Sequence, residues 1–366
     1  MRFATPLLLL ALTAPCVAQN MASSLNIPKQ NLDGTIAYDV NAAGQIAAVL
    51  EDEDGRQHGV LVDKGKVTEL SLHGGYSDAK AINQDGTVVG SAQTRERNWR
   101  AFLFDKASGM RQLGTLGGES SYGMAINRAG NAVGFADTLA GDFHAFLYVK
   151  GEPIIDLGTL GGKISYASGI NSHNQVVGTS AMHDGYRHAF LYDEARGMVD
   201  LGTLGGLSSS ASAINDAGVV VGASQTRDRR WHAFIYENGK MTDLGKIIGK
   251  GASFATDINN AGHVVGTILI GDERQSFVWR DGKLTVHRGG KGLHLTNAIN
   301  DGELVIGATF DRKLDAATMP SKARALVARG GWELTTLFFT MLGAAAVAVT
   351  MVWFYRRPKK PLLTSA

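Results

Sequence analysis

Cysteine is almost missing from this 366-residue chain: Cys16 is the only one. No disulfide framework can form, whatever the compartment allows. Charge is also sparse, at 19% of residues with a net of +2, which excludes the bulk basic character of a nucleic-acid binder. Motifs of chemistry are missing as well. There is no nucleophile elbow, Walker loop, zinc spacing or paired-carboxylate signature, so no reaction class and no cofactor is indicated. The recurring Leu-Gly-Thr-Leu-Gly-Gly elements are glycine-rich but precede strands. They lack the helix N-terminus that makes a phosphate cradle.

What is abundant is glycine, 46 residues in all, against a usual frequency of roughly 7%, and repetition. The asparagine of a recurring Ala-Ile-Asn element falls at Asn41, Asn83, Asn127, Asn171, Asn215, Asn259 and Asn300, intervals of 42, 44, 44, 44, 44 and 41 residues. A fixed period of this length means stacked or ring-closed units. Each unit offers four short strands; in the third they are expected at 122–127, 132–136, 144–149 and 154–157. Turns such as Asn127-Arg128-Ala129-Gly130 supply residues that tolerate positive φ in a tight hairpin. Four strands in ~44 residues match a propeller blade, and the alternation leaves both faces of each sheet apolar, which calls for a neighbour on each side. The expectation is all-β: a seven-bladed β-propeller over residues 19–334, its small-residue strand innermost and its Gly-Gly pairs at the crossings between blades. The seventh unit would end with 325–334. An open β-solenoid is the rival, with rungs that are usually shorter.

The element His144-Ala145-Phe146 recurs as His188-Ala189-Phe190 and His232-Ala233-Phe234, and in degraded form as His58-Gly59-Val60, Arg100-Ala101-Phe102, Ser276-Phe277 and Arg324-Ala325-Leu326. On these residues the chain resembles the HAF-repeat family of extracellular bacterial proteins, over about residues 31–334. The resemblance implies export and a bacterial source. It carries no established activity, so no catalytic residue is transferred.

Both ends look like targeting segments. Residues 1–18 have Arg2, an apolar run and the small-x-small site Cys16-Val17-Ala18 expected of a secretory signal; acylation at Cys16 is the alternative, and Pro15 fits it poorly. Residues 335–355 form an uncharged apolar run, the core 337–355 reaching about 28 Å as a helix at ~1.5 Å per residue. Trp332, Trp353 and Tyr355 border it, and Arg356, Arg357, Lys359 and Lys360 follow in the tail 356–366. The positive-inside tendency places this tail in the cytoplasm and the repeats in the periplasm or outside the cell. A cleaved sorting signal, with Gly330-Gly331 as its motif, is the alternative to a retained helix. The short step from the repeats to the helix predicts a propeller riding close to the bilayer.

Three groups of residues are candidates for function. The histidines His58, His144, His188 and His232 sit at equivalent repeat positions, too far apart around a ring to share a metal; a structural hydrogen bond to a neighbouring blade or turn is expected. Asp52 and Asp54, in Glu51-Asp52-Glu53-Asp54-Gly55, have a spacing that could open a calcium loop but lack the distal glutamate. Two near-copies precede the third strand in the second and fifth units: Arg95, Arg97 and Trp99, and Arg227, Arg229 and Trp231. Arginine with tryptophan is a mixture enriched at binding hot spots, although the tryptophans could instead cover a blade edge. Together these features predict a membrane-anchored binding or scaffolding module for an envelope protein or glycan. The alternative is a propeller lyase or hydrolase acting on an envelope polysaccharide.

Overall fold

The computed structural model describes residues 36–52, 54–271, 273–287 and 295–308. They form six four-stranded antiparallel sheets and one two-stranded sheet, each a simple meander. We number the blades 1 (36–69), 2 (77–112), 3 (117–156), 4 (161–200), 5 (205–243) and 6 (252–287); the two-stranded sheet spans 295–308. The first strand of every sheet touches the first strand of both neighbours, and that of blade 1 touches that of the two-stranded sheet. The sheets therefore surround an axis with their first strands innermost, as expected.

Seven complete blades were expected, and among the described residues there are six. Among the described residues, the seventh sector holds the pair Leu295–Ile299 and Val305–Ala308. After Ala308 the sequence has no intact His-Ala-Phe or Asp-Leu-Gly, and the degraded Arg324-Ala325-Leu326 lies outside the described residues. The outer strands expected at 325–334 lie outside the described residues, as do the signal segment and the apolar run 335–355. Among the described residues, no helix is long and apolar enough to cross a membrane.

Each repeat motif has a physical task. The inner strands carry a bulge three residues before the marker asparagine, as at Ser168 between Ala167 and Gly169. The bulge drives a carbonyl toward the second strand. A Cβ on Gly178 would lie 2.0 Å from the Tyr166 oxygen and 2.8 Å from the Phe190 ring, which is why the second strand reads Val-Val-Gly. The phenylalanines Phe102, Phe146, Phe190, Phe234 and Phe277 are completely buried. They pack between blades: Phe190 shares a core cluster with Val133, Ala145 and Leu147 of blade 3 and Leu157 just after it. Cutting Phe190 to Ala should cost about 3–5 kcal/mol.

A ring and an arc of side-chain hydrogen bonds tie blade to blade. The Nδ2 groups of Asn41, Asn83, Asn127, Asn171, Asn215, Asn259 and Asn300 each donate to the carbonyl of the next asparagine, and Asn300 donates to Asn41. The hydroxyls of Ser77, Ser121, Ser165, Ser209 and Ser253 accept the third-strand N–H of the preceding blade. Gly-Gly pairs open the inner strands of blades 3, 4 and 5 instead of preceding them. Their leading residues hold φ near +100°, and Leu160 just before donates its N–H to Ser180 Oγ of the blade it enters.

The meander gives the ring two unlike faces. Turns between first and second and between third and fourth strands share one end, which carries the asparagine ring; we call it the asparagine face. Turns between second and third strands and the blade-to-blade connections share the other, the crossover face.

Candidate functional site

The recurring histidines are held inside their own blades. His144 and His188 Nδ1 each sit 2.9 Å from Asp156 and Asp200 of the outer strand, and His232 Nδ1 lies 2.9 Å from Asp243. His58 does the same with Glu69 at 3.2 Å and adds Asp52 at 2.9 Å. A bond to a neighbouring blade or turn was expected: His58 meets the adjacent turn through Asp52, whereas His144, His188 and His232 bond the aspartate of their own blade's Asp-Leu-Gly element. Burial opposes the charge on His58, yet Asp52 and Glu69 hold its pKa above the ordinary value.

The calcium candidate is engaged in its turn. Asp52 Oδ1 accepts the N–H groups of Asp54 and Arg56, its Oδ2 faces His58, and Asp54 pairs with Arg56 at 3.8 Å. A calcium ion would have to displace these contacts.

Arg95, Arg97, Arg227 and Arg229 are exposed on the crossover face, in matching turns of blades 2 and 5. The structure does not bring the two loops together, since two blades intervene on one side and blades 1 and 6 with the two-stranded sheet on the other. Trp99 packs 5.8 Å from Tyr122 and Trp231 6.4 Å from Phe254, each against the inner strand of the next blade. Both tryptophans are half-buried and cover a blade edge. Arg97 and Arg229 hold φ of +67° and +60° at a position where blades 1, 3 and 4 place Gly55, Gly141 and Gly185. Arginine at a left-handed site costs on the order of 1 kcal/mol.

Inside the ring, charge collects on blades 1, 2 and 6. The bulged inner-strand position holds Tyr38, Lys80 and Met124 in blades 1 to 3, then Ser168, Ser212, Thr256 and Asn297. Lys80 Nζ lies 3.9 Å from the Tyr38 ring centre and 3.8 Å from Asp78. Burial works against its charge, but Tyr38 and Asp78 raise its pKa. Desolvation lifts Asp78 and Asp39 above the ordinary carboxylate range and pushes Asp257 up to about 8.

A cleft of about 680 Å³ opens on the asparagine face between blades 4 and 5. Two asparagine-ring turns and two third-to-fourth-strand turns build it. His173, Asp193, Arg196, Asp216 and Tyr236 are among its walls. Arg196 Nε holds Asp193 at 2.6 Å and keeps its carboxyl below the usual range. Burial raises the pKa of Asp216, and hydrogen bonds from Ser172 and Asn260 outweigh it, leaving this carboxyl ionised as well. Sequence reasoning missed this site because its residues look like ordinary turn residues. One signal was present: the blade-4 turn Asp193-Glu194-Ala195-Arg196-Gly197 is longer than the blade-5 turn Glu237-Asn238-Gly239-Lys240, and it raises one wall.

No family model matches the sequence, and no curated protein matches it either. Solved structures do. The β-propeller domain of the Trilobed protease from Pyrococcus furiosus aligns at a TM-score of 0.54 and 12% identity, over 78% of this chain and 100% of that one. An acylaminoacyl peptidase from Pyrococcus horikoshii gives 0.50 and 13% over 75% of this chain and 49% of its own. TolB from Acinetobacter baumannii gives 0.46 and 14% over 74% and 67%. The chain spans about half the length of the peptidase it matches. The likeness to the Trilobed protease domain, at such identity, is one of fold, and with the ring of sheets it makes this chain a β-propeller.

Proposed function

We propose that this chain is a membrane-anchored extracytoplasmic propeller that binds an envelope protein or glycan at the cleft between blades 4 and 5. The observation that carries the reading is the make-up of that cleft. An aromatic ring, Tyr236, stands among ionised carboxylates, an imidazole and a guanidinium at a concave surface, the mixture of apolar platform and polar groups that orients a ligand. The anchor rests on the apolar run 335–355 and the basic tail, and export rests on residues 1–18. The His-Ala-Phe repeats keep the HAF-repeat family as the proposed kinship.

The test is a thermal-shift screen of the full chain in nanodiscs against envelope glycans. A ligand at ~100 times its Kd adds about 2.7 kcal/mol, a rise of a few degrees. A shift with one glycan that disappears in Tyr236→Ala supports the site. A shift that survives Tyr236→Ala and Asp216→Ala moves binding elsewhere. The enzyme reading has one observation in its favour, the Asp257 carboxyl that stays protonated near neutral pH and so could deliver a proton. Polymer cleavage lost in Asp257→Ala would select it.

A further inference from the structure

Among the described residues, six large apolar side chains are exposed: Tyr76, Leu139, Ile155, Tyr186, Ile247 and Ile270. Five of them stand on the crossover face. Leu139 and Tyr186 lie in second-to-third-strand turns, Ile270 at the entrance to another, and Tyr76 and Ile247 in blade-to-blade connections. Only Ile155 is on an outer strand. The same face carries Arg95 and Arg97 on blade 2 and Arg227 and Arg229 on blade 5, two cationic turns set between runs of apolar tips, with Glu96, Asp184 and Asp228 exposed in turns of the same face. Leu139, 88% exposed, packs over Gly117, and Arg227 packs over Gly205. Arg97 and Arg229 keep a left-handed backbone where sister turns use glycine, a cost that a merely solvated arginine does not explain.

We propose that the crossover face lies on the membrane surface, with the apolar tips entering the headgroup region and the arginines binding lipid phosphates. This rests on the anchor reading above and adds to it a definite orientation. Residues that pair an apolar body or stem with a polar end favour the bilayer interface, and arginine is suited to phosphate. The topology points the same way. The strand Val305–Ala308 runs toward the crossover face, so the chain leaves the described ring on that side, and the sequence reaches its apolar run fewer than thirty residues later. The asparagine face, with the blade 4–5 cleft, then looks away from the bilayer and stays open to a ligand.

The test uses the full chain with Cys16→Ser, reconstituted in phosphatidylethanolamine–phosphatidylglycerol vesicles. Leu139→Cys, Ile247→Cys or Asn238→Cys carries a polarity-sensitive fluorophore. With the crossover face on the bilayer, lipids bearing a nitroxide near the headgroup quench the labels at 139 and 247 about twofold or more, since interfacial side chains sit about 5–10 Å into that boundary. The label at 238, on the asparagine face, keeps its intensity. Arg97→Glu with Arg229→Glu weakens quenching at 139 in these anionic vesicles. Equal intensity at all three sites overturns the orientation and leaves the anchor standing. Quenching at 238 alone inverts the disc and overturns it too. If the label at 139 is free in pure lipid but protected in native membranes, a protein covers this face instead of lipid. Failure of the chain to float with the vesicles removes the anchor and the orientation with it.

Discussion

Two residues before the ring asparagine, five inner strands carry Ala or Gly: Ala81, Ala125, Gly169, Ala213 and Ala298. Blades 1 and 6 carry Asp39 and Asp257 there. Asp257 Oδ2 accepts the Ile299 N–H and Asp39 Oδ2 the Ile82 N–H, both at 2.8 Å. Desolvation, with Asp39 and Asp301 adding repulsion, lifts Asp257 from an ordinary 3.8 to about 8. In the folded chain it keeps its proton up to that pH; in the unfolded chain it loses it above about 4. Between those values the folded state binds more protons, so stability falls as pH rises and levels off above about 8. We predict that Tm declines between pH 5 and pH 8, and that Asp257→Ala flattens the decline. The variant should gain about 1–3 kcal/mol at pH 8, and less than that at pH 5, where the lost hydrogen bond costs about 1 kcal/mol. Parallel pH profiles for variant and parent would show that Asp257 is ionised and solvated.

At the scale of one element, the hairpin turn of each inner strand is organised by its asparagine. Asn171 Oδ1 accepts the N–H groups of His173 and Gln175, while Nδ2 donates to the Asn215 carbonyl at 3.1 Å and to Gln175 Oε1. Asn171→Ala removes all four bonds and should cost about 2–3 kcal/mol at any pH. Asn171→Asp keeps the acceptor but aims an oxygen at a buried carbonyl. Protonated, that oxygen can donate; ionised, it repels. Its folded pKa is therefore raised, and the stability it retains at pH 4.5 is lost as pH climbs. Urea unfolding at pH 4.5 and 8 should show a widening deficit, and a constant one would mean that the Nδ2 donation does not hold the blades. The element was legible in sequence because asparagine and glycine recur at turn positions, and so was the innermost place of the small-residue strand. The partner of Nδ2 was not legible. It lies one whole repeat away, and periodicity reports that units are alike without saying what bonds what. The same limit hid the cleft, built from turns of two repeats, and left open the partners of the histidines, of which His144, His188 and His232 bond an aspartate of the same blade.

For the whole molecule, the seventh sector is where the ring must close. At the junction of blades 4 and 5, Asn171 and Ser168 bond the next inner strand, and the connecting chain adds the Leu204–Thr226 bridge and a Leu204-to-Ser224 hydrogen bond. At the seam with blade 1, Asn300 and Asn297 make the equivalent bonds, to the Asn41 and Ala37 carbonyls. Behind them Ala298 and Ile306 pack on Val40 and Ile46, and among the described residues no chain segment connects the two sheets directly. The two junctions therefore carry matched side-chain bonds with unequal covalent backing. Asn297→Ala with Asn300→Ala, and Ser168→Ala with Asn171→Ala, should lower global stability by similar amounts, about 2–4 kcal/mol each. Their local consequences should differ, because opening at a seam needs no chain to unfold. In the seam variant, amides of 36–51 and 295–308 should exchange about tenfold faster than in the parent while blades 3 to 5 keep their protection. In the interior variant no such zone should appear. Uniform acceleration in both would mean that the ring opens only by global unfolding, with the seam as strong as any other junction.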